Sequence, residues 1–171
     1  MFRELEDLNR ADWPLLRNGA VNLFWCPEVL DEARAALRLL DYEVAEISCQ
    51  SGWSDFATQM SSVLRWQDQF GYAPWTGNLD AFNDGLRGYP FAGSNRAVII
   101  LRGFNALVEE DPEQSRGLLD VLEASARDHL LWSRTLIVLV QTDDNRFESG
   151  PTGARAAQWN EREWLNANRG L

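Results

Sequence analysis

Apolar positions along this chain fall into two spacings, and the switches between them mark the elements. Val21 to Trp25 (VNLFW) reads as a short strand. After Pro27, residues Val29, Leu30, Ala33, Leu37 and Leu40 recur at helical spacing. Tyr42 to Ile47 alternates as a second strand does, and Ser54 is the expected N-cap of a helix built on Phe56, Met60, Val63 and Leu64. A loop rich in Gly, Pro and aromatics, Phe70 to Gly77, then leads into a short helix from about Asn78 to Arg87. Arg96 to Arg102 encloses AVIIL, and Thr135 to Val140 is TLIVLV. Runs that apolar suit strands covered on both faces, as in a parallel sheet. Between them Pro112 opens a helix whose buried stripe is Leu118, Leu119, Val121, Leu122 and Ala126.

The order is β-α-β-α-α-β-α-β, preceded by an N-terminal helix and arm within residues 1–20. It predicts an α/β fold: a small, mostly parallel sheet of about four strands flanked by helices. The tail opens on Ser149-Gly150-Pro151-Thr152-Gly153 and suggests a closing helix carrying Trp159, Trp164 and Leu165. A chain of 171 residues is one ordinary domain by length.

Charge narrows the function. There are 26 acidic and 16 basic residues, the latter all Arg, for a net charge of −10. Such a protein repels phosphate backbones and anionic lipid, which disfavours direct nucleic-acid or membrane binding and favours a basic partner. The N-terminus is too charged for a signal peptide, and no apolar run reaches the ~20 residues of a bilayer span, so a cytoplasmic location is expected. Cys26 and Cys49 form no metal or disulfide pattern and read as two buried thiols. No cofactor motif stands out: the Gly-Pro-Thr-Gly stretch lacks the Lys and the preceding strand of a phosphate loop.

Little in the sequence resembles a catalytic centre. The one histidine, His129, sits near a helix end, where the dipole favours an imidazolium cap. Asp143 and Asp144 follow the last apolar strand at the edge where α/β sheets bind ligands. Either they form an ordinary turn, or they hold Mg²⁺ for a hydrolase.

Eight tryptophans are present, and most suit a core. Trp75 stands apart, since its place beside Pro74 and Gly77 suits a solvent-facing ring. In the helix that follows, Leu79, Phe82 and Leu86 share one face. Asp80, Asn83, Asp84 and Arg87 take the other. Asp80 and Asp84 are like charges at i,i+4, a placement that costs roughly 0.2–0.5 kcal/mol and that Arg87 offsets in part. That face is either a solvated surface or a docking surface for a cationic pocket.

The stretch Gly77-Asn78-Leu79-Asp80-Ala81-Phe82-Asn83-Asp84-Gly85-Leu86-Arg87-Gly88 resembles the signature of the barstar family of ribonuclease inhibitors. The resemblance spans residues 42–143, leaving an N-terminal arm and βα extension (1–41) and a tail (144–171) expected to be helical and packed on the domain. It implies a non-catalytic inhibitor or immunity protein that plugs the active-site cleft of a basic ribonuclease or nuclease toxin. By the resemblance, Asp84 takes the phosphate pocket, Asp80 supports it, and Asn78 is a polar loop contact. Trp75 and Tyr89 match aromatic positions, and Glu123 on the long helix is a candidate further acidic contact. Two positions depart from the family pattern: Asn83 replaces an aromatic residue, and Pro74 a tyrosine-like one. Two other readings stay open: the Mg²⁺-dependent hydrolase using Asp143 and Asp144, and an interaction domain that has lost inhibition.

Overall fold

The computed structural model describes residues 10–153 and 155–171. The first nine residues of the expected N-terminal arm lie outside the described residues. The elements are α1 (Asp12–Arg17), β1 (Val21–Phe24), α2 (Pro27–Leu39), β2 (Glu43–Ser48), α3 (Trp53–Val63), α4 (Trp66–Phe70) and α5 (Leu79–Arg87). They continue with β3 (Arg96–Arg102), α6 (Asn105–Glu110), α7 (Pro112–Leu130) and β4 (Thr135–Gln141). A two-residue hairpin, β5 (Pro151–Thr152) and β6 (Arg155–Ala156), follows, then β7 (Gln158–Trp159) and a 3-10 turn, Asn166–Arg169.

The main sheet has the order β2-β3-β4-β1-β7, and every pair in it is parallel. The four strands expected from the apolar runs are all in it. Successive side chains of a strand point to opposite faces, and here both faces are covered. Ile99, Leu101, Val138 and Val140 pack on one side with Phe56, Phe82, Leu118 and Leu122 from α3, α5 and α7. Val98, Ile100, Ile137 and Leu139 pack on the other with Leu15, Leu30 and Leu37 from α1 and α2. The β1–α2 unit therefore supplies both a strand of the same sheet and the cover for its second face.

Four local expectations need correction. The tail does not close in an α-helix: Gln158 and Trp159 pair with Asn22 and Leu23 as the fifth strand. Trp164 and Leu165 are 56% and 63% exposed, so no apolar stripe exists there to bury a helix. Instead the Glu163 carboxylate accepts from the N–H groups of Trp25 and Cys26, at 3.0 and 2.7 Å, and the Arg169 guanidinium lies 4.5 Å over the Trp159 ring.

The cap of α3 is Gly52, not Ser54, with φ of 82°, and the Glu110 carboxylate accepts from the Trp53 N–H at 3.0 Å. A carboxylate from another element does the work that the sequence assigns to a local serine. Cys49 is buried, which pushes its thiol up to about 12, but Cys26 is half-buried and lies 2.9 Å from Glu28. Its position just ahead of α2 keeps it at the rim.

His129 is the fourth. It is buried, and burial holds its pKa below the usual imidazole range. It donates from Nε2 to the Leu86 carbonyl at 2.8 Å, tying α7 to the end of α5, rather than acting as a charged cap. Among the described residues no helix is long and apolar enough to cross a membrane.

Candidate functional site

The helix that the sequence marks as a docking candidate is α5. Asn78 caps it, its Oδ1 accepting from the Ala81 N–H at 2.8 Å. Phe82 and Leu86 are fully buried and Leu79 is partly so, which fixes the rotation of the helix. Gly85 lets it lie against Trp66: a Cβ there would meet the ring at 2.5 Å. Asp80, Asp84 and Arg87 are consequently exposed and Asn83 is half-buried. Asp84 and Arg87 pair at 3.2 Å with 60% and 62% of their side chains accessible. Water screens such a pair, so Arg87 holds Asp84 only weakly.

The loop before α5 differs from expectation. Trp75 is 1% exposed, not solvent-facing. Its ring packs 4.7 Å from Phe82, its backbone N–H donates to Ser61 Oγ at 2.7 Å, and its indole N–H donates to the Asn78 carbonyl at 2.7 Å. Tyr89 is also buried, its ring tilted against Phe91 at 4.8 Å, and burial raises its phenol pKa. Neither ring can be a surface anchor as it stands.

Glu123 is off the α5 face as well. It is buried at the foot of β1, accepting from the N–H groups of Ala20 and Val21 at 2.8 and 3.0 Å. It satisfies strand-end donors that have no sheet partner.

The structure thus leaves Asn78, Asp80, Asp84 and Arg87 on one accessible surface, with Asn83 beside them. Trp75, Tyr89 and Glu123 are buried and do not share that surface. The exposed aromatics of this region are Phe70, 36% exposed, and Tyr72, 47% exposed and edge-on to Trp66 at 6.2 Å. Their only signal in the sequence is their place in the aromatic loop, where periodicity says nothing about which ring turns outward.

Asp143 and Asp144 form a turn. Asp143 Oδ1 accepts from Gln141 Nε2 at 2.8 Å, and Asp144 Oδ1 accepts from the Arg146 N–H at 2.9 Å. Among the described residues no group of three or more His, Cys, Asp or Glu side chains is placed to hold a metal ion.

These features describe a parallel α/β protein whose acidic helix stands on its surface, ahead of an inner strand with a continuous apolar run, Ala97 to Leu101. Residues 42–141, well over half of the chain, match the family described as Barstar (barnase inhibitor), and the chain belongs to that barstar family. Members of the family are inhibitors of ribonucleases rather than enzymes. No curated protein and no solved structure matches the chain.

Proposed function

We propose that this protein is a cytoplasmic inhibitor, or immunity protein, that blocks a basic ribonuclease or nuclease toxin by seating α5 in its phosphate-binding cleft. One observation carries this reading: Asp84 is 60% accessible, on a helix anchored by the fully buried Phe82 and Leu86, with Arg87 as its one ion-pair partner among the described residues. A carboxylate so placed can exchange water and a weak local cation for the cations that an enzyme aims at a phosphate. The rigid seat of Phe82 and Leu86 means that little ordering cost falls on binding.

Asp80 stands one turn earlier and supports the same field, while Asn78 offers a polar contact at the helix start. The charge of −10 steers the protein toward a cationic cleft. The buried Trp75 and Tyr89 support the surface from beneath. Inhibition here is occlusion and phosphate mimicry, with no bond made or broken.

The test uses barnase as probe and the Asp84→Ala variant. Folding stability is expected to change by no more than about 0.5 kcal/mol, while binding weakens by roughly 2–5 kcal/mol. Association of the unmodified protein is expected to slow as salt rises. An Asp84→Ala variant that inhibits as well as the unmodified protein would reject the reading, as would association rates that ignore ionic strength.

A further inference from the structure

A cavity of about 280 Å³ lies on the sheet face opposite α5, at the β1–β7 edge. Its floor is Asn22 and Phe24 of β1 with Gln158 of β7. Asn22 and Gln158 are register partners, so their side chains share this face. One wall is α2, through Val29, Ala33 and Ala36; another is the tail, through Arg162 and Trp164. All of these residues lie outside the stretch 42–141 that matches the barstar family. The cavity is therefore built by the segments before and after that stretch.

The sequence of α2 keeps the space open. Leu30 and Leu37 are fully buried, while the positions turned to the cavity carry alanine at 33 and 36. Two methyl groups leave uncovered the volume that longer side chains would fill.

The polar groups of the floor are unequally satisfied. Asn22 spends both amide protons, donating to the Leu15 and Ala20 carbonyls at 2.8 and 3.1 Å. Gln158 has no such return: its Oε1 is buried with no hydrogen-bond partner among the described residues. Folded proteins leave few buried acceptors in that condition. The terminal torsion of a Gln turns broadly, so a donor lying in the cavity can be met by this oxygen.

Charge and size narrow the ligand. The ionic side chains lining the cavity are Arg17, Glu32, Glu161 and Arg162, which sum to zero. Arg162 and Glu32 pair from opposite walls, each more than half exposed. Such a pair is weak and opens readily. A small molecule can lie beneath it, whereas an incoming peptide strand would have to break it. An apolar cavity of roughly 150 Å³ takes up benzene, so the larger volume here suits two fused rings. We infer that this cavity binds a small, neutral, bicyclic aromatic molecule with one N–H or O–H donor. The rings lie between Phe24 and the alanines of α2, and the donor bonds Gln158 Oε1. The site goes beyond the inhibitor reading and does not depend on it, since the sheet separates it from α5.

The test adds indole to the full chain, with 1-methylindole as the analogue that lacks the donor. In scanning calorimetry the melting temperature is expected to rise with indole concentration. 1-Methylindole is expected to bind about tenfold more weakly. Ala33→Leu fills the cavity with a good helix former and is expected to abolish the rise, as is Ala36→Leu from the next turn. A variant-free measurement accompanies these. In the unmodified protein the side-chain amide 15N–1H resonances of Gln158 and Asn22 are expected to move on adding indole, and that of Asn83 on α5 to stay. No rise with indole, a rise that survives both leucine variants, or unmoved Gln158 and Asn22 resonances would each overturn the site. Equal binding of indole and 1-methylindole would overturn the bond to Gln158.

Discussion

Trp75 is bound to Asn78 across the junction of loop and helix: its indole N–H donates to the Asn78 carbonyl at 2.7 Å. The same Asn78 caps α5 with its side chain. Loop and helix are therefore one unit, and the exposed carboxylates are positioned from a ring that solvent does not reach.

Replacing that ring should damage folding before it damages recognition. Trp75→Ala removes a fully buried side chain packed on Phe82, and such truncations cost about 3–5 kcal/mol. Trp75→Phe keeps much of the packing and gives up the bond to Asn78, a loss nearer 1 kcal/mol. Urea titrations should show midpoints falling in that order with little change of slope. An unchanged midpoint with lost inhibition would return Trp75 to the role of a surface anchor.

Gly85 offers a sharper contrast. An alanine inside a helix usually stabilises it by roughly 0.5–1 kcal/mol relative to glycine. Here the added Cβ would lie 2.5 Å from Cζ3 of Trp66, a fully buried ring already stacked 4.4 Å from Phe70. Overpacking of that kind costs about 1–3 kcal/mol. Gly85→Ala should therefore lower the melting temperature, and a rise would mean that Trp66 moves freely.

His129 should make stability depend on pH in one direction. Burial, with Arg134 adding to it, lowers its pKa; the bond to Leu86 and the charge of Asp128 oppose this. A proton then binds the unfolded chain more readily than the folded one. The contribution is complete above about pH 6.5, the unfolded value, and is lost as pH falls through the lower folded pKa. His129→Gln can still donate to the Leu86 carbonyl and should flatten this part of the profile. Urea midpoints of both proteins across this pH range are the measurement. Parallel profiles would assign the pH dependence to other groups.

Divalent cations should leave the protein unmoved. Asp143 and Asp144 each spend a carboxylate oxygen on a turn hydrogen bond. A ligand bound to the native state alone would raise the melting temperature with its concentration. No such rise is expected with Mg²⁺. A saturable rise that vanishes in Asp144→Asn would restore the metal-dependent reading.

Much of the fold was legible because it rests on short-range regularities. AVIIL and TLIVLV have no polar face to offer water, so only strands covered on both sides satisfy them. Leu79, Phe82 and Leu86 share a face by helical spacing alone, which turns Asp80 and Asp84 outward before any contact is known. The signature around Asp84 carried the family in the same local way.

What the sequence by itself determined, then, was the set of central strands, their parallel connection and the outward face of α5, because each depends on residues within a few positions of one another. The tertiary structure alone decided which loop rings are buried and where the tail goes. Trp75 turns inward because Ser61 and Phe82 stand opposite it, and Tyr89 because Phe91 does. Glu123 is taken up by the open donors of Ala20 and Val21, more than a hundred residues away. Gln158 and Trp159 become a strand because β1 presents an unpaired edge to them. For Glu123 and the tail the deciding partner is distant in the chain, and in every case a side chain goes where its hydrogen bonds and its apolar surface can both be satisfied.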